Sequence, residues 1–363
     1  MKICHIINSL NRGGAEAHLL DLCKQQKSNG LSVDVVSIGK DKVDSYSIDK
    51  ELLKLDVILH RLSGPRMFNL VSYLKLKKII KSNDFDIVHS HQPRSDYMIY
   101  ILKKVFKKTL QFKWVVSVHG KYNTYLEKSL VNNLKLKFFQ YVYLAWETAD
   151  QIIAISNEVA DWIVKLNYKL KPTVINYWIT EKKHLEKLKK DNITFGFLGR
   201  LNKNKGIEDL IDSLNYVNFD FECLVGGLGT KDYLQYLDSK ISEKNKKNIQ
   251  FLGYIEDQES FFNSVDIFIF PSYSEGLGLV LLEALSYKKI CITRNNPPMN
   301  QFVSSTNGYL FNNIEELTSQ IELAYREFNL ESIYNEKIKN IELILKNYNA
   351  KYLYPMIEKV YRL

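Results

Sequence analysis

Residues 265–287 read VDIFIFPSYSEGLGLVLLEALSY, and this stretch decides which fold the chain can adopt. The first part is apolar and β-favouring, as in a buried parallel strand, and the proline and glycines after it end the strand. LVLLEAL then reads as a helix, so Glu275 lies in the loop and Glu283 more than a turn inside the helix. Glycines let backbone N–H groups approach a ligand, and a helix start favours phosphate or polyhydroxyl groups. This strand–loop–helix unit is therefore the candidate active site.

The same alternation of strand and helix runs along the chain in two series. Short β-like runs separated by segments of helical period predict parallel sheets covered by helices on both faces. A charged stretch, residues 181–192, separates the series and has the composition of a surface linker or short helix. We therefore predict an α/β protein with two doubly wound, Rossmann-like domains, in which ligands bind beyond the carboxyl ends of the strands. The strand candidates are KICHII, VDVVSI, DVILH, DIVHS, WVVSV and QIIAIS, followed by ITFGFLG, FECLVGG, IQFLGY, DIFIFPS and KICIT.

The composition limits the location and class of the protein. With 363 residues, 45% of them hydrophobic, the chain is long enough for two cores. No apolar run reaches the roughly 18 residues needed to cross a bilayer, and the start MKICHIIN does not resemble a signal peptide, so we expect a cytoplasmic protein. The four cysteines occur without a CxxC pair, which favours buried, reduced thiols over metal or redox chemistry.

Positive charge is concentrated in the first half of the chain. Residues 1–180 carry 27 Lys and Arg against 16 Asp and Glu, a balance of +11, and residues 181–363 carry 23 against 25, a balance of −2. Within the basic half, residues 130–150 place Lys135 and Lys137 among aromatic side chains. Such a helix could lie on an anionic membrane surface or pack against its own sheet, and both interpretations stay open. Nucleic-acid binding is not expected, because the chain contains no aromatic-basic module of a known kind.

The segment with Glu275 and Glu283 resembles the Glu-x7-Glu motif of the retaining glycosyltransferases of family 4, which have the GT-B fold. Four further segments match that family in its order. The resemblance implies two Rossmann-like domains facing across a cleft: residues 1–180 on the acceptor side, joined by a C-terminal helix at 349–363, and residues 181–348 on the nucleotide-sugar donor side. The four segments are NSLNRGGAEAHLLDL (8–22), DIVHSHQP (86–93), VVSVHG (115–120) and FGFLGRLNKNKGIEDLIDSL (195–214).

The donor side supplies the candidate residues for the nucleotide sugar. Arg200 and Lys205 flank a loop at a helix start, where a guanidinium and an ammonium suit a diphosphate, and the family gives this pair the same role. By resemblance Glu283 binds ribose hydroxyls and Glu275 faces the hydroxyls of the donor sugar, although Glu275 could instead cap the helix. The remaining expected donor-binding residues are Gly276, Leu277 and Gly278 beside Glu275, together with Gly226 and Tyr254.

Histidines end two strands of the first domain. His119 ends VVSVH before a glycine, and by resemblance it contacts the transferred sugar and orients the transition state. His89 and His91 are expected to point to opposite sides of their strand, so that one of them reaches the cleft. His91 is the family match, and we expect it on the acceptor side in a structural or supporting role.

The loop after KICHIINSL contains Gly13 and Gly14, which by resemblance approach the donor phosphate and the acceptor. The GxGxxG spacing of a dinucleotide site is missing, and Glu16 in the same loop could simply cap the helix. The chain departs from the family pattern in three places: at Asn176-Tyr177-Trp178, near Gly226 in GGLGT, and after the Glu-x7-Glu helix. In the last of these Arg294 begins a non-glycine loop and is a candidate acceptor-side residue.

Together these features predict a retaining, metal-independent glycosyltransferase without a cofactor. It would move a sugar from a nucleotide diphosphate, with UDP favoured, to a polysaccharide or glycolipid precursor at the inner membrane face. No carboxylate cluster of the DxD type is expected, so Arg200, Lys205 and helix N-termini would neutralise the leaving diphosphate. Two alternatives stay open: a nucleotide-sugar 2-epimerase of the same architecture and a catalytically silent nucleotide-sugar binding protein.

Overall fold

The structure is a computed structural model that divides into two compact units. Unit 1 comprises Met1–Trp178 and Ala350–Leu363, and unit 2 comprises Ile179–Asn349. The boundaries drawn from the sequence lie within two residues of this division. The described residues are 1–39, 47–62, 69–122, 130–180, 182 and 192–363, with only the backbone described at 130–135, so most of the expected linker lies outside them.

The described part of unit 1 is built on a parallel sheet. Its strands are β1 (Lys2–Ile7), β2 (Ser32–Ser37), β3 (Ile58–Arg61), β4 (Ile87–Ser90), β5 (Lys113–Val118), β6 (Gln151–Ala154) and β7 (Thr173–Val174). They pair in the order β3-β2-β1-β4-β5-β6-β7. The order reverses between β1 and β4, which is the switch point where doubly wound sheets bind ligands. Two registers matter for the site: His5 pairs with His89, and His89 pairs with Val115.

Helices cover both faces of this sheet, as right-handed connections between parallel strands require. They are α1 (Gly14–Ser28), α2 (Asp49–Lys54), α3 (Leu70–Asn83), α4 (Pro93–Phe106), α5 (Leu130–Trp146) and α6 (Asn157–Leu166). Helix α4 lies against α3 and α5, and α1 contacts α2 and the C-terminal helix (Ala350–Arg362). That last helix buries residues at helical spacing, Leu353, Tyr354, Ile357, Val360 and Tyr361, which explains why it docks on unit 1.

Unit 2 contains a second parallel sheet. Its strands are β8 (Ile193–Leu198), β9 (Phe221–Gly226), β10 (Ile249–Gly253), β11 (Ile267–Phe270), β12 (Ile290–Arg294) and β13 (Gly308–Phe311), in the order β10-β9-β8-β11-β12-β13. Its helices are α7 (Ile207–Tyr216), α8 (Lys231–Lys240), α9 (Gln258–Ser264), α10 (Leu279–Ser286), α11 (Ile314–Glu327) and α12 (Glu331–Leu345). The prediction of two doubly wound, Rossmann-like domains is confirmed.

Both cores are largely apolar, and they include the four cysteines. The four cysteines lie buried without disulfide partners, as predicted. Burial raises the pKa of the Cys223 thiol to about 12, so this thiol is protonated and unreactive at neutral pH. Among the described residues, no helix combines the length and the apolar character that crossing a bilayer requires.

Candidate active site

Two loops at the carboxyl ends of β8 and β11 are joined in unit 2. Asn204 links them from both sides: its side-chain amide donates to the Ser274 carbonyl (3.0 Å), and its own carbonyl accepts from the Tyr273 backbone N–H (2.9 Å). The loop with Arg200 and Lys205 and the loop with Glu275 therefore form one surface. This is the strand edge where ligands bind in such sheets.

Gly206 explains how closely these loops approach. Its φ of +66° lies in the left-handed region, and a Cβ at this position would stand 2.2 Å from the Pro271 carbonyl oxygen. Any side chain would clash with the backbone and be strained as well. The Lys-Gly pair of the sequence is therefore a steric requirement of the loop junction.

Lys205 and Glu275, which the sequence places 70 residues apart, meet at this junction. The Lys205 ammonium lies 2.5 Å from a Glu275 carboxylate oxygen, and the two side chains are only 21% and 12% exposed. An ammonium has three N–H donors, so Lys205 can hold Glu275 and still bind a further anion. Helix α10 starts after Gly278 and has no side-chain cap, so Glu275 does not have the alternative role of capping it.

Glu283 and Arg200 lie on either side of this pair in the sequence. Glu283 is the fifth residue of α10 and is half-buried, with its neighbours Leu282 and Ala284 fully buried. Arg200 is exposed and, within the part of the chain that the structure describes, makes no ion pair or hydrogen bond. Its guanidinium is thus available to an incoming anion.

Gly226 and Tyr254 follow the two neighbouring strands, β9 and β10. Gly226 ends β9, and its carbonyl accepts from the Gly199 backbone N–H (3.0 Å), which fixes the loop before Arg200. The half-buried Tyr254 lines a pocket of about 320 Å³ together with Ile255 and Phe261. Gly276 and Leu277 stand in the loop between Glu275 and α10, and Leu277 is buried.

Arg294 is engaged within unit 2. Its guanidinium pairs with Asp209, donates to the Asn312 carbonyl (3.0 Å) and stacks over the Tyr273 ring at 4.1 Å. The Tyr273 hydroxyl donates to the same Asp209 carboxylate (2.7 Å). Through these contacts Arg294 fixes the position of Tyr273, in the loop before Glu275. An acceptor-side role for Arg294 remains a prediction.

In unit 1, Gly13 and Gly14 begin α1. Gly13 is the residue before the helix, and a Cβ there would stand 2.6 Å from a Glu16 carboxylate oxygen. Glu16 is buried in the first turn of α1 and accepts a hydrogen bond from the Gln92 side chain (3.0 Å). The structure therefore gives Glu16 a buried contact with the loop after β4.

The histidines of unit 1 form a continuous hydrogen-bonded chain, which we call the histidine chain. Its members are Tyr177, His119, His91, His5, Gln26, Tyr361, His89 and Ser117, in this order of contact. The nitrogen–nitrogen distances are 3.1 Å between His119 and His91 and 2.9 Å between His91 and His5. Both ring nitrogens of His119 are thus occupied within unit 1, one of them by the Tyr177 hydroxyl.

The expectation that His89 and His91 point to opposite sides is wrong. Residues two apart on a strand share a face, and the two rings stack with centroids 4.2 Å apart. Both are fully buried. Burial lowers the pKa of both imidazoles well below 6.5, lowers that of His5 to about 4 and lowers that of His119 to about 3. All four are therefore neutral at physiological pH.

Within the described residues, His5, His89 and His91 form the group with ligand atoms close enough for a metal, within 4.8 Å of one another. The arrangement does not suit one. A metal lies in the plane of each ligating ring, but the stacked rings of His89 and His91 are only 27° from parallel and do not converge on one point. Each of the six ring nitrogens also has a hydrogen-bond partner already.

The expectation that the chain lacks a DxD-type cluster needs a correction, because Asp84 and Asp86 flank Phe85. The triplet lies at the amino end of β4, where Asp84 ends α3 and Asp86 accepts from the Lys2 backbone N–H (2.6 Å). Ligands of doubly wound sheets bind at the opposite, carboxyl ends of the strands. The triplet therefore does not belong to the candidate site.

Sequence reasoning missed five members of the histidine chain: His5, Gln26, Ser117, Tyr177 and Tyr361. A signal existed for His5, because in parallel register the histidines of KICHII and DIVHS stand side by side. No local pattern could have found Gln26 and Tyr361, which are 335 residues apart and meet only through helix packing.

Two doubly wound units with a Lys–Glu pair at a strand-end junction define a protein of the GT-B class. Family models agree: residues 12–179 match Glycosyltransferase Family 4, and residues 179–341 match Glycosyl transferases group 1. The chain therefore belongs to the GT-B glycosyltransferases, with one such domain in each unit.

Relatives and solved structures cover nearly the whole chain. The capsular polysaccharide biosynthesis glycosyltransferase CapM of Staphylococcus aureus is 24% identical over 363 residues, 91% of this chain and 90% of CapM. Sucrose-phosphate synthase of Thermosynechococcus elongatus superimposes with a TM-score of 0.82 at 17% identity, covering 100% of this chain and 98% of that one. HepE of Anabaena, in complex with UDP and glucose, gives a TM-score of 0.81 at 17% identity, and both chains are covered completely.

Proposed function

We propose that this glycosyltransferase moves a sugar from a UDP-sugar to a polysaccharide or glycolipid precursor, with retention at the anomeric carbon and without a metal. The observation that carries the proposal is the Lys205–Glu275 contact at 2.5 Å, beside the start of α10 and in the same loop system as the exposed Arg200. The choice of UDP rests on the likeness to HepE, and the choice of a polysaccharide precursor rests on the likeness to CapM.

The loop junction with Lys205 and Glu275 offers positive charge, which the departure of a diphosphate requires. Negative charge grows on the leaving group as the bond to the sugar breaks, and Arg200 and Lys205 offer two fixed cations to it. Backbone N–H groups at the start of α10 have no intrahelical partners and add a partial positive charge. Glu275, held by Lys205, then has a second carboxylate oxygen that can accept from sugar hydroxyls. Glu283 is assigned to the ribose hydroxyls.

Retention is proposed from the resemblance of the Glu275–Glu283 segment to the retaining glycosyltransferases of family 4. Among the described residues of the site we assign no covalent nucleophile, so retention would require attack on the face that the diphosphate leaves. The configuration of the anomeric proton in the product, measured by NMR, tests this directly. An inverted product would refute it. Activity that EDTA abolishes and Mg²⁺ restores would refute metal independence.

A nucleotide screen tests the proposal before the acceptor is known. UDP at millimolar concentration should raise the thermal midpoint of the chain, because a ligand that binds only the folded state stabilises it. GDP and ADP should raise it less. The Lys205→Ala variant should lose most of the UDP shift, and Lys203→Ala in the same loop should keep it. The proposal fails if none of the three nucleotides raises the wild-type midpoint.

Turnover of the bound donor separates the alternatives from transfer. Incubating the chain with UDP-sugar and no acceptor should leave the sugar unchanged or slowly hydrolysed. An isomerised sugar would identify a 2-epimerase. Binding with no transfer to any glycan or lipid-linked acceptor would identify a silent binding protein.

We further propose that one face of unit 1 contacts an anionic membrane that holds the acceptor. Part of the basic-aromatic segment 130–150 packs inward: Trp146 is 1% exposed and contacts the rings of Tyr143 and Trp162. Two helices that contact α4 nevertheless expose apolar side chains: Leu136, Tyr141 and Leu144 on α5, and Leu70, Val71 and Leu74 on α3.

Lysines accompany these apolar side chains. Lys75 and Lys78 are exposed on α3 and Lys137 on α5, whereas the side chain of Lys135 lies outside the described residues. Apolar side chains combined with lysines suit an anionic bilayer interface. Peripheral attachment to the inner membrane face thus stays a proposal that rests on these two helices.

A further inference from the structure

The histidine chain has a direction, and Gln26 sets it. The Gln26 side-chain carbonyl is only an acceptor, so the His5 Nε2 atom at 2.8 Å must carry the proton. A neutral imidazole has one N–H, so His5 Nδ1 accepts, and the donor is His91 Nε2 at 2.9 Å. The amide of one glutamine thus determines the tautomers of two buried histidines.

The same logic reaches His119. Because His91 Nε2 donates, His91 Nδ1 accepts from His119 Nε2 at 3.1 Å. His119 Nδ1 is then an acceptor, and it receives the hydroxyl proton of Tyr177. Each step follows from the one before, since all these imidazoles are neutral.

A second branch starts at the other end of the same amide. The Gln26 amide nitrogen donates to the Tyr361 hydroxyl oxygen (3.1 Å), and Tyr361 donates in turn to His89 Nδ1 (2.8 Å). His89 Nε2 then donates to Ser117 Oγ (2.7 Å). Tyr361, on the C-terminal helix, therefore joins the Gln26 amide to the branch that ends at Ser117. A rotated amide would reverse every hydrogen bond of both branches.

We propose that Gln26 is a positioning residue for sugar transfer, acting through His5 and His91 to keep His119 in the tautomer whose Nδ1 accepts a hydrogen bond. This rests on the proposed function, in which His119 meets the transferred sugar. In this tautomer the Nδ1 atom of His119 accepts a hydrogen bond from a hydroxyl group. In the structure that group is the Tyr177 hydroxyl, and in the proposed complex a sugar hydroxyl would replace it. The opposite tautomer would present an N–H, so the same hydroxyl would have to turn and accept, and it could no longer donate its proton to His119.

Burial makes the arrangement obligatory. Gln26, His5 and His91 are all 0% exposed, so no surrounding solvent can replace a lost partner. An unsatisfied buried polar group is costly, and a chain of hydrogen bonds is therefore kept or reversed as a whole.

Two-bond ¹H–¹⁵N NMR spectra of the full chain labelled at histidine test the proposal, since they distinguish Nε2–H from Nδ1–H imidazoles. At pH 7.5 we expect His5, His89, His91 and His119 to be neutral with the proton on Nε2. In Gln26→Met, which has a similar length but no amide, His119 should lose its single tautomer. The matched control is Gln25→Met on the same helix, which should leave all four signals unchanged.

Kinetics give an independent readout. Gln26→Met should lower kcat about tenfold, the effect of losing one ordinary hydrogen bond, with KM for the donor nearly unchanged. Tyr361→Phe, which removes the hydrogen-bond partner of the Gln26 amide nitrogen while keeping the ring, repeats the test if Gln26→Met does not fold.

The proposal is overturned if wild-type His119 carries its proton on Nδ1, or if Gln26→Met and Tyr361→Phe both leave its tautomer and kcat as they were. The NMR result does not depend on turnover. If the NMR spectra show the predicted tautomers but the protein transfers no sugar from any UDP-sugar, the proposed function and the positioning role that rests on it are both contradicted. The direction of the hydrogen bonds in the histidine chain would still be correct. Normal transfer by Gln26→Met would overturn the positioning role alone.

Discussion

Unit 1 should unfold in mild acid, and the reason is its buried histidines. Burial lowers the pKa of five of them: His5 to about 4, His119 to about 3, and His18, His89 and His91 well below 6.5. In the unfolded chain each titrates near its ordinary pKa of about 6.5. The unfolded state therefore binds more protons below that pH, and the stability present above pH 6.5 is lost as the pH falls.

The magnitude follows from proton linkage. Between pH 7.5 and 5.5 each of these histidines removes about 1.4 kcal/mol of the free energy of unfolding, and five remove about 7 kcal/mol. Asp96 acts in the opposite sense. Burial raises its pKa to about 7, so the folded state takes up a proton that the unfolded state does not, which returns about 2 kcal/mol. The net loss of about 5 kcal/mol is as large as the whole stability of many domains.

Tryptophan fluorescence can follow unit 1 alone. All four tryptophans, Trp114, Trp146, Trp162 and Trp178, belong to it. Urea unfolding monitored by fluorescence at pH 7.5, 6.5 and 5.5 should show the free energy falling by several kcal/mol with a constant m-value. Unit 2 is the internal control, because residues 179–349 contain one histidine, His184. The urea midpoint of its transition, followed by far-UV circular dichroism, should therefore change little with pH.

A clear result would refute the reasoning. If the fluorescence-detected free energy of unfolding changes by less than about 1 kcal/mol from pH 7.5 to 5.5, fewer than one net proton is linked to unfolding. The histidine chain could then not consist of neutral imidazoles in a closed, dry interior. Equal acid sensitivity in both units would also contradict the assignment of the effect to unit 1.

Three further predictions concern unit 2 and the surface of unit 1. Lys205→Ala should lower kcat by a factor of about 10² to 10³, equivalent to about 2–4 kcal/mol of transition-state stabilisation, while Lys203→Ala in the same loop stays near wild type in steady-state assays. Gly206→Ala should destabilise unit 2 in urea melts by at least about 1 kcal/mol more than Gly253→Ala, because Gly253 has a similar φ of +68° but open space where its Cβ would be. Lys75→Glu combined with Lys78→Glu should reduce the fraction of protein that sediments with anionic vesicles at low salt. The same change at Lys231 and Lys339 of unit 2 is the control and should leave that fraction unchanged. The membrane proposal is refuted if the wild-type protein does not bind such vesicles.

The sequence was sufficient for the donor-side junction because its parts are local. Strand, glycine loop and helix follow one another within residues 265–287, and the same holds for the loop with Arg200 and Lys205. Only the meeting of Lys205 with Glu275 needed the fold, and adjacent parallel strands bring such loops together at one edge. Hence the hydrophobic periodicity, together with the proline and glycine residues that end the strands, predicted both the fold and the loop and helix positions of these residues.

The histidine chain could not be predicted in the same way, because it depends on register and packing. Its members come from β1, α1, β4, β5, the segment after β7 and the C-terminal helix. Tyr177 was visible only as a departure from the family pattern, and the structure gives it two contacts: a hydrogen bond to His119 and a stacked ring of His18 at 4.1 Å. The contacts of Arg294 with Asp209 and Tyr273 likewise depend on packing, and its acceptor-side role stays a prediction.

Under the proposed function, the candidate site groups of the two units suit different parts of the reaction. Unit 2 presents ionised groups, with Lys205 and Arg200 suited to a diphosphate whose charge grows during transfer. Unit 1 presents a chain of neutral imidazoles, His119 among them. Neutral imidazoles, each with one donor and one acceptor, suit hydroxyl groups instead. The burial that makes unit 1 sensitive to acid is thus also what keeps His119 neutral, so acid sensitivity and hydroxyl recognition have one physical cause.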